Sequence, residues 1–303
     1  MTRIVFLGPS EFAPLLQLRD AGVDFFDSDD AAAFRDAVAE AEVLLVAPRS
    51  GALLREVFAG ARNVRWIHAL AAGVEPLLFD ALRDSPVPLT NGRGLFADAL
   101  GEFAIAAMLW FAKDLGRMRR NQEAGQWEPF DVDWLQGKTV GIVGYGSIGR
   151  AVAARAAALG MHIAAMRRSE GSLNEVLRAA DYLVLSTPLT PETRGLIGAA
   201  QLALLKRDAV LINIGRGAVI DEAALIDVLT NHRLRGAALD VFETEPLPPD
   251  HPFWQLENVL LSPHCADHTP DSHLRAMQLF LENLARYERG EALENVVDKL
   301  AGY

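Results

Sequence analysis

The stretch that most constrains this chain is "TVGIVGYGSIG" at residues 139–149. An apolar, strand-like run passes into the helical run "SIGRAVAARAAALG" through Gly144, Gly146 and Gly149, spaced G-x-G-x-x-G. Each glycine meets a different demand. The first allows a tight strand-to-helix turn, the second lets backbone approach a pyrophosphate, and the third lets the helix pack closely on the strand. Free N–H groups and the dipole at a helix start favour an anion, so Ser147 and Ile148 join the three glycines as candidate dinucleotide contacts. Glycine turns before helices also serve packing alone. Here the strand, the helix and the strand after it are all in place.

The rest of the chain repeats that alternation. In the first 95 residues "RIVFLG", "VDFFDS", "EVLLVAP", "VRWIHAL" and "VPLTNG" read as strands, separated by helix-like stretches. From Lys138 onward "TVGIVG", "HIAAM", "YLVLST", "AVLINIG", "GAALDVF" and "NVLLSP" read the same way. Such alternation implies parallel sheets covered on both faces, an α/β class with two doubly wound domains. Between the halves, residues 98–122 read as one long helix opened by Asp98, too apolar on more than one face to stand in water. An irregular arm, "EAGQWEPFDVDWLQG", follows it. The last helix, "PDSHLRAMQLFLENLARYERG", is expected to return to the first domain, so that the second domain is inserted into the first.

Composition excludes several classes. A net charge of -11 with acids and bases interspersed argues against a nucleic-acid groove, whose affinity depends on phosphate contacts. The apolar run "FAIAAMLWFA" at 103–112 is about half of what a bilayer span needs, so no membrane role is expected. "MTRIVFLGPS" reads as a first strand and not as a signal peptide. Cys265 is the only cysteine, which rules out an intrachain disulfide and fits a reducing cytoplasm. Metal-ligand spacings are absent, so no metal is expected.

About twenty residues past the glycines, an acid would bind the ribose hydroxyls of NAD. This chain carries Arg167, Arg168 and Ser169 there, and the first acid is Glu170. A guanidinium pairs with a 2′-phosphate and an acid repels it. Arginine is abundant in this sequence, so position is what counts. The position predicts NADPH in preference to NADH.

Further motifs carry a resemblance. "LINIGRGAVIDEAAL" at 211–225, "GAALDVFETEPLP" at 236–248 and "HPFWQLENVLLSPH" at 251–264 follow the fingerprint, and "GVEPL" and "TNGRG" precede it. In order and spacing they resemble the D-2-hydroxyacid dehydrogenase family from about residue 40 onward. The resemblance implies a Rossmann coenzyme domain at 98–267 inserted into a flavodoxin-like substrate domain at 1–97 and 268–303. It implies a catalytic trio of Arg216, Glu245 and His264: Arg216 holds the carboxylate and carbonyl of a 2-oxo acid, His264 is the general acid and base, and Glu245 is its partner. It further implies cofactor contacts at Thr187 and Pro188, at Ile214 and Gly215, and at Asp240, the last accepting from the nicotinamide carboxamide. Ala72, Gly73 and Val74 resemble a loop whose N–H groups receive the substrate carboxylate.

The chemistry agrees with those residue types. Hydride arrival at a ketone carbon builds negative charge on oxygen, which a proton donor and a cation stabilise. Histidine titrates near neutrality, a carboxylate on its far nitrogen fixes the tautomer, and the arginine fork matches a carboxylate. Without the family, Arg216 fits a surface pair as well, Glu245 reads as a solvated loop acid, and His264 is merely the best placed of seven histidines. Two departures stand out. The family has small residues after the histidine where this chain has Ala266 and Asp267, and His268 lies one helical turn from His264. The leading expectation is an NADPH-dependent reductase of the glyoxylate/hydroxypyruvate type acting as a homodimer. The alternative is a dinucleotide-sensing, corepressor-like binding protein on the same scaffold.

Overall fold

Strands that read as unbroken apolar runs need cover on both faces. In the computed structural model β1 (Ile4–Leu7), β3 (Val43–Val46) and β4 (Trp66–Ala69) are buried at every residue. So are β8 (Tyr182–Leu185), β9 (Val210–Asn213) and β10 (Gly236–Leu239). The structure describes residues 2–9, 12, 14–21, 25–27, 31–167 and 171–303, the side chain of Ala31 apart. The chain divides into two compact units, Met1–Phe96 with Thr269–Tyr303, and Ala97–His268.

The first unit holds a five-stranded parallel sheet in the order β2-β1-β3-β4-β5, with the short strands β2 (Phe25–Phe26) and β5 (Leu89–Thr90) at its edges. The period-two alternation of a strand sorts its core. Val5 and Leu7 pack on one face, and Ile4 and Phe6 on the other. Among the described residues, the α-helices along this stretch are α1 (Leu15–Asp20), α2 (Ala31–Glu40), α3 (Gly51–Val57) and α4 (Asp80–Arg83).

The second unit begins with α5 (Ala97–Ala112) and α6 (Leu115–Glu123). The single helix expected over 98–122 is therefore two. Asp114 adopts a left-handed conformation (φ 48°) that ends the first, and its carboxylate accepts from the Arg117 N–H to open the second. Asp98 does not cap: the helix starts one residue earlier, and Asp98 pairs with Arg155 at 2.9 Å.

Six strands follow, adding β6 (Thr139–Val143), β7 (His162–Met166) and β11 (Val259–Leu261) to β8–β10, in the order β11-β10-β9-β8-β6-β7. All pairings are parallel. Helices α7 (Ser147–Ala158), α8 (Leu173–Ala179), α9 (Ala199–Leu202) and α10 (Glu222–Thr230) alternate with these strands. The final helix, α11 (Ser272–Glu288), belongs to the first unit, where it lays Met277, Phe280 and Leu284 on the Ile4 and Phe6 face and stacks Phe280 on Trp66.

Both sheets share one winding: the first strand of each lies between its second and third. Ligands in open α/β sheets sit beyond the strand C-termini at such a reversal. In the second unit the reversal falls between β6 and β8, and the glycine-rich loop leaves β6 at that point. Among the described residues, no helix is long and apolar enough to cross a membrane.

Candidate active site

The glycine loop is shaped by three different constraints. Gly144 has φ of +100°, and a Cβ there would stand 2.8 Å from the Ser186 carbonyl and the Thr187 nitrogen. At Gly149 a Cβ would meet the Gly144 oxygen at 2.4 Å. Both glycines are therefore required by the protein's own packing. Gly146 is different: a Cβ built on it finds no atom within 4 Å. It is also the residue ahead of α7, whose N-terminus has no side-chain cap. The Ser186 hydroxyl donates to the Gly144 carbonyl at 2.8 Å and ties the loop to the end of β8.

Arg167 follows β7 and is exposed. The carbonyl just before it, that of Met166, accepts from the N–H groups of both Gly144 and Tyr145 at 3.2 Å. The basic position and the glycine loop are thus joined by backbone hydrogen bonds. Arg168 and Ser169 lie outside the described residues.

Thr187 and Pro188 leave β8 beside the loop after β9. The Thr187 Oγ1 is buried and has no hydrogen-bond partner among the described residues. Ile214 donates its N–H to the Leu185 carbonyl. A Cβ on Gly215 would press on the Thr187 oxygen at 2.9 Å, and one on Gly217 would overlap the Phe242 carbonyl carbon at 1.9 Å. Between these two glycines Arg216 is extended at φ -142°, and its guanidinium Nη1 donates to the Gly215 carbonyl at 2.7 Å. Asn213, fully buried, braces the turn by accepting from the Gly215 N–H and donating to the Arg216 carbonyl. The sequence reading passed over Asn213, although a buried amide at the end of an apolar strand is a recognisable signal.

Glu245 and His264 come together from separate loops. The carboxylate Oε2 lies 2.7 Å from the imidazole Nδ1, and Oε1 accepts from the Phe242 N–H at 3.0 Å. Both oxygens are occupied, so the carboxylate has one orientation. With Nδ1 given to Glu245, the free ring atom is Nε2. The hydrogen bond to Glu245 raises the His264 pKa; burial and the charge of Arg216 lower it, the charges of Glu245 and Asp240 raise it, and the balance lies above the ordinary histidine value. Burial pushes the Glu245 carboxyl up, but hydrogen bonds from His264 and Phe242, with the charges of His264 and Arg216, leave it below its ordinary value. The charge of Arg216 acts on both, so the three expected residues form one electrostatic group.

Asp240 follows β10 and is 1% exposed. Its Oδ1 accepts from the Ser262 hydroxyl at 2.6 Å and from the Cys265 and Ala266 N–H groups at 3.0 and 3.1 Å. Ser262 was not singled out in the sequence; the β10–β11 register sets it level with Asp240. Asp267 and His268 pair with each other at 3.8 Å. In the first unit, Ala72, Gly73 and Val74 follow β4. The Asn91 amide donates to the Ala72 carbonyl at 2.6 Å, and the Gly92 N–H to Ala71 at 2.9 Å.

An uncapped helix N-terminus, a middle glycine facing open space and an unpartnered Thr187 hydroxyl suit a dinucleotide that brings phosphates and polar groups of its own. Comparison with known proteins points the same way. Residues 105–266 match the family described as D-isomer specific 2-hydroxyacid dehydrogenase, NAD binding domain. A glyoxylate reductase of Korarchaeum cryptofilum is 35% identical over 265 residues, covering 80% of this chain and 79% of that one. A D-3-phosphoglycerate dehydrogenase of Methanocaldococcus jannaschii is 34% identical over 277 residues, 86% of this chain; the match spans about half, 52%, of that longer relative. An NADPH-dependent glyoxylate/hydroxypyruvate reductase of Sinorhizobium meliloti, solved with NADP and sulfate, superposes with a TM-score of 0.89 at 28% identity over 100% of both chains.

Proposed function

Since the chain belongs to the D-isomer specific 2-hydroxyacid dehydrogenase family, we propose that it reduces small 2-oxo acids to D-2-hydroxy acids, with glyoxylate and hydroxypyruvate as first substrates and NADPH as preferred reductant. The observation that carries this reading is the group formed by Arg216, Glu245 and His264 beside a dinucleotide-type glycine loop. Relatives named as glyoxylate or hydroxypyruvate reductases support turnover over the corepressor-like alternative.

In this assignment, bound NADPH supplies the hydride. Gly144, Gly146, Ser147, Ile148 and Gly149 hold the pyrophosphate on the start of α7, and Arg167 with Arg168 and Ser169 receives the 2′-phosphate. Thr187, Pro188, Ile214, Gly215 and Asp240 line the cofactor. Arg216 binds the substrate carboxylate and stabilises charge growing on the carbonyl oxygen. His264 Nε2 delivers the proton to that oxygen, and Glu245 Oε2 holds the ring in the tautomer and charge state the step needs. The resemblance to the family also assigns the N–H groups of Ala72, Gly73 and Val74 to the substrate carboxylate. The first unit is accordingly the substrate domain, and the inserted unit the coenzyme domain.

We further read the chain as a cytoplasmic homodimer. Trp127 and Trp134 in the arm after α6 are 97% and 70% exposed, a surface that a second copy would cover. The direct test is NADPH oxidation, followed by absorbance, against a panel of 2-oxo acids at millimolar concentration. No turnover with any of them would end the reductase reading.

A further inference from the structure

We infer that Ser262 is a positioning residue that, through Asp240, holds the turn on which His264 stands. The inference rests on the reading of His264 as the proton donor.

His264 has φ of 53°, in the left-handed region that a residue with a Cβ enters only under constraint. The residues on either side of it supply that constraint. Parallel pairing of β10 with β11 sets Leu239 opposite Leu261, so Asp240 and Ser262 are each the next residue out. The Ser262 N–H donates to the Leu239 carbonyl at 2.9 Å, continuing the ladder one step beyond the strands. Ser262 is 8% exposed, and its hydroxyl donates to Asp240 Oδ1 at 2.6 Å.

The same oxygen takes the N–H groups of Cys265 and Ala266. One carboxylate oxygen thus collects a donor from two residues before His264 and donors from one and two residues after it. His264 itself gives nothing to this anchor. Its ring is left to bond Glu245 at 2.7 Å. The three donors fix where the chain enters and leaves the histidine, and the left-handed residue is the way to close that gap.

All three of these hydrogen bonds go to Oδ1, and none to Oδ2 among the described residues. The two oxygens of Asp240 therefore have separate tasks. Oδ1 holds the histidine turn, and Oδ2 remains open to a further donor. Loss of the Ser262 hydroxyl removes a donor to a buried charge and frees the carboxylate to rotate, so the turn loosens and the Glu245–His264 bond weakens with it.

The experiment compares Ser262→Ala, Ser262→Thr and Ser262→Cys in the full chain. It reads steady-state reduction, the alkaline limb of kcat/KM and NADPH affinity by fluorescence titration. The charged groups acting on His264 are Glu245, Asp240 and Arg216, and all three remain in every variant. Ser262→Ala is expected to lower kcat about ten- to a hundredfold, the effect of losing a hydrogen bond to a buried charge. Its alkaline limb should move to lower pH, while NADPH affinity should fall far less than kcat, since the glycine loop and Arg167 are untouched. Ser262→Thr keeps the hydroxyl and should restore both kcat and the limb. If Ser262→Ala does not fold, Ser262→Cys, with a weak donor of similar size, should show the same losses in smaller degree.

Wild-type kcat and an unmoved limb in Ser262→Ala or Ser262→Cys, alongside a strongly impaired His264→Asn, would overturn the positioning role and leave the function standing. Full activity in His264→Asn would instead overturn the assignment of the proton donor, and the positioning role with it.

Discussion

Glu245 Oε2 and His264 Nδ1 lie 2.7 Å apart although they are 19 residues apart in sequence and arrive from different loops. Each is held by a second bond of its neighbourhood: Glu245 by the Phe242 N–H, and the His264 turn by Asp240. The pair raises the histidine pKa and lowers that of the carboxylate, which is the signature of an ion pair when the ring is protonated.

The pH dependence of reduction follows from that pair. With His264 as the proposed proton donor, reduction uses the protonated ring, so the rate is full well below the His264 pKa and is lost as pH rises through it. Glu245→Gln removes the charge that raises this pKa, and the alkaline limb of kcat/KM should shift to lower pH. His264→Asn should lose about 10²–10⁴-fold in kcat while still binding NADPH. A limb in Glu245→Gln that stays put or moves upward would show that Glu245 is not the histidine's partner.

Cofactor choice is expected to turn on Arg167, which the Met166 carbonyl ties to the glycine loop. Arg167→Asp should weaken NADPH by about ten- to a hundredfold, the range for one charge-assisted contact, and improve NADH. The ratio of kcat/KM for the two cofactors measures this directly. A wild-type enzyme that already prefers NADH would contradict the assignment.

Arg216 should be intolerant of lysine. The two glycines that flank it commit the turn to presenting one side chain, and an ammonium cannot make a two-pronged contact with a carboxylate. Arg216→Lys should raise KM for the 2-oxo acid by roughly ten- to a hundredfold with NADPH affinity unchanged. An unaltered KM would remove Arg216 from substrate binding.

The exposed aromatic surface of the arm makes a prediction about assembly. Lys113 lies over Trp134, which is 70% exposed, and Arg117 lies over Phe130. Light scattering at micromolar concentration should give twice the chain mass, and Trp127→Glu with Trp134→Glu should give the monomer. A wild-type chain that is monomeric throughout would refute the dimer.

How much of this was legible in the sequence depends on the range of the interaction. Strand "TVGIVG" and its glycines are local features, and period and turn chemistry predicted them. The two-sheet α/β class followed, because unbroken apolar strands such as "VLLV" and "YLVL" permit few other solutions. The break at Asp114 escaped because a lone glycine, Gly116, inside a helical pattern is often tolerated, and the left-handed backbone and the cap to Arg117 reveal it. Arg216, Glu245 and His264 were named through resemblance to a family. Residue type alone could not pair them, since Glu245 and His264 meet through tertiary packing. Ser262 went unremarked for the same reason, since its role exists only once neighbouring strand ends stand side by side, whereas Asn213 bonds within its own turn and was legible locally.

The three fingerprint glycines should separate under alanine substitution. Gly144 and Gly149 are needed by the protein itself, one for its positive φ and contact with Ser186, the other for contact with the Gly144 oxygen. A methyl group at either place must displace backbone, and overpacking of that kind costs about 1–3 kcal/mol. Gly146 has no such constraint: its φ of -84° suits any residue, and a Cβ there meets no atom within 4 Å. Gly146→Ala should therefore fold with a Tm at or slightly above wild type, since alanine restricts the unfolded chain more than glycine does. Its methyl would stand where a pyrophosphate must approach the backbone, so dinucleotide affinity should fall at least about tenfold. Thermal melts without cofactor, and again with saturating NADPH, separate the two effects. Gly144→Ala and Gly149→Ala should lose stability in both melts, whereas Gly146→Ala should lose only the increment that NADPH adds. A Gly146→Ala variant that keeps the full NADPH increment would show that the middle glycine does not face the cofactor, and the dinucleotide site would have to be placed elsewhere on the sheet.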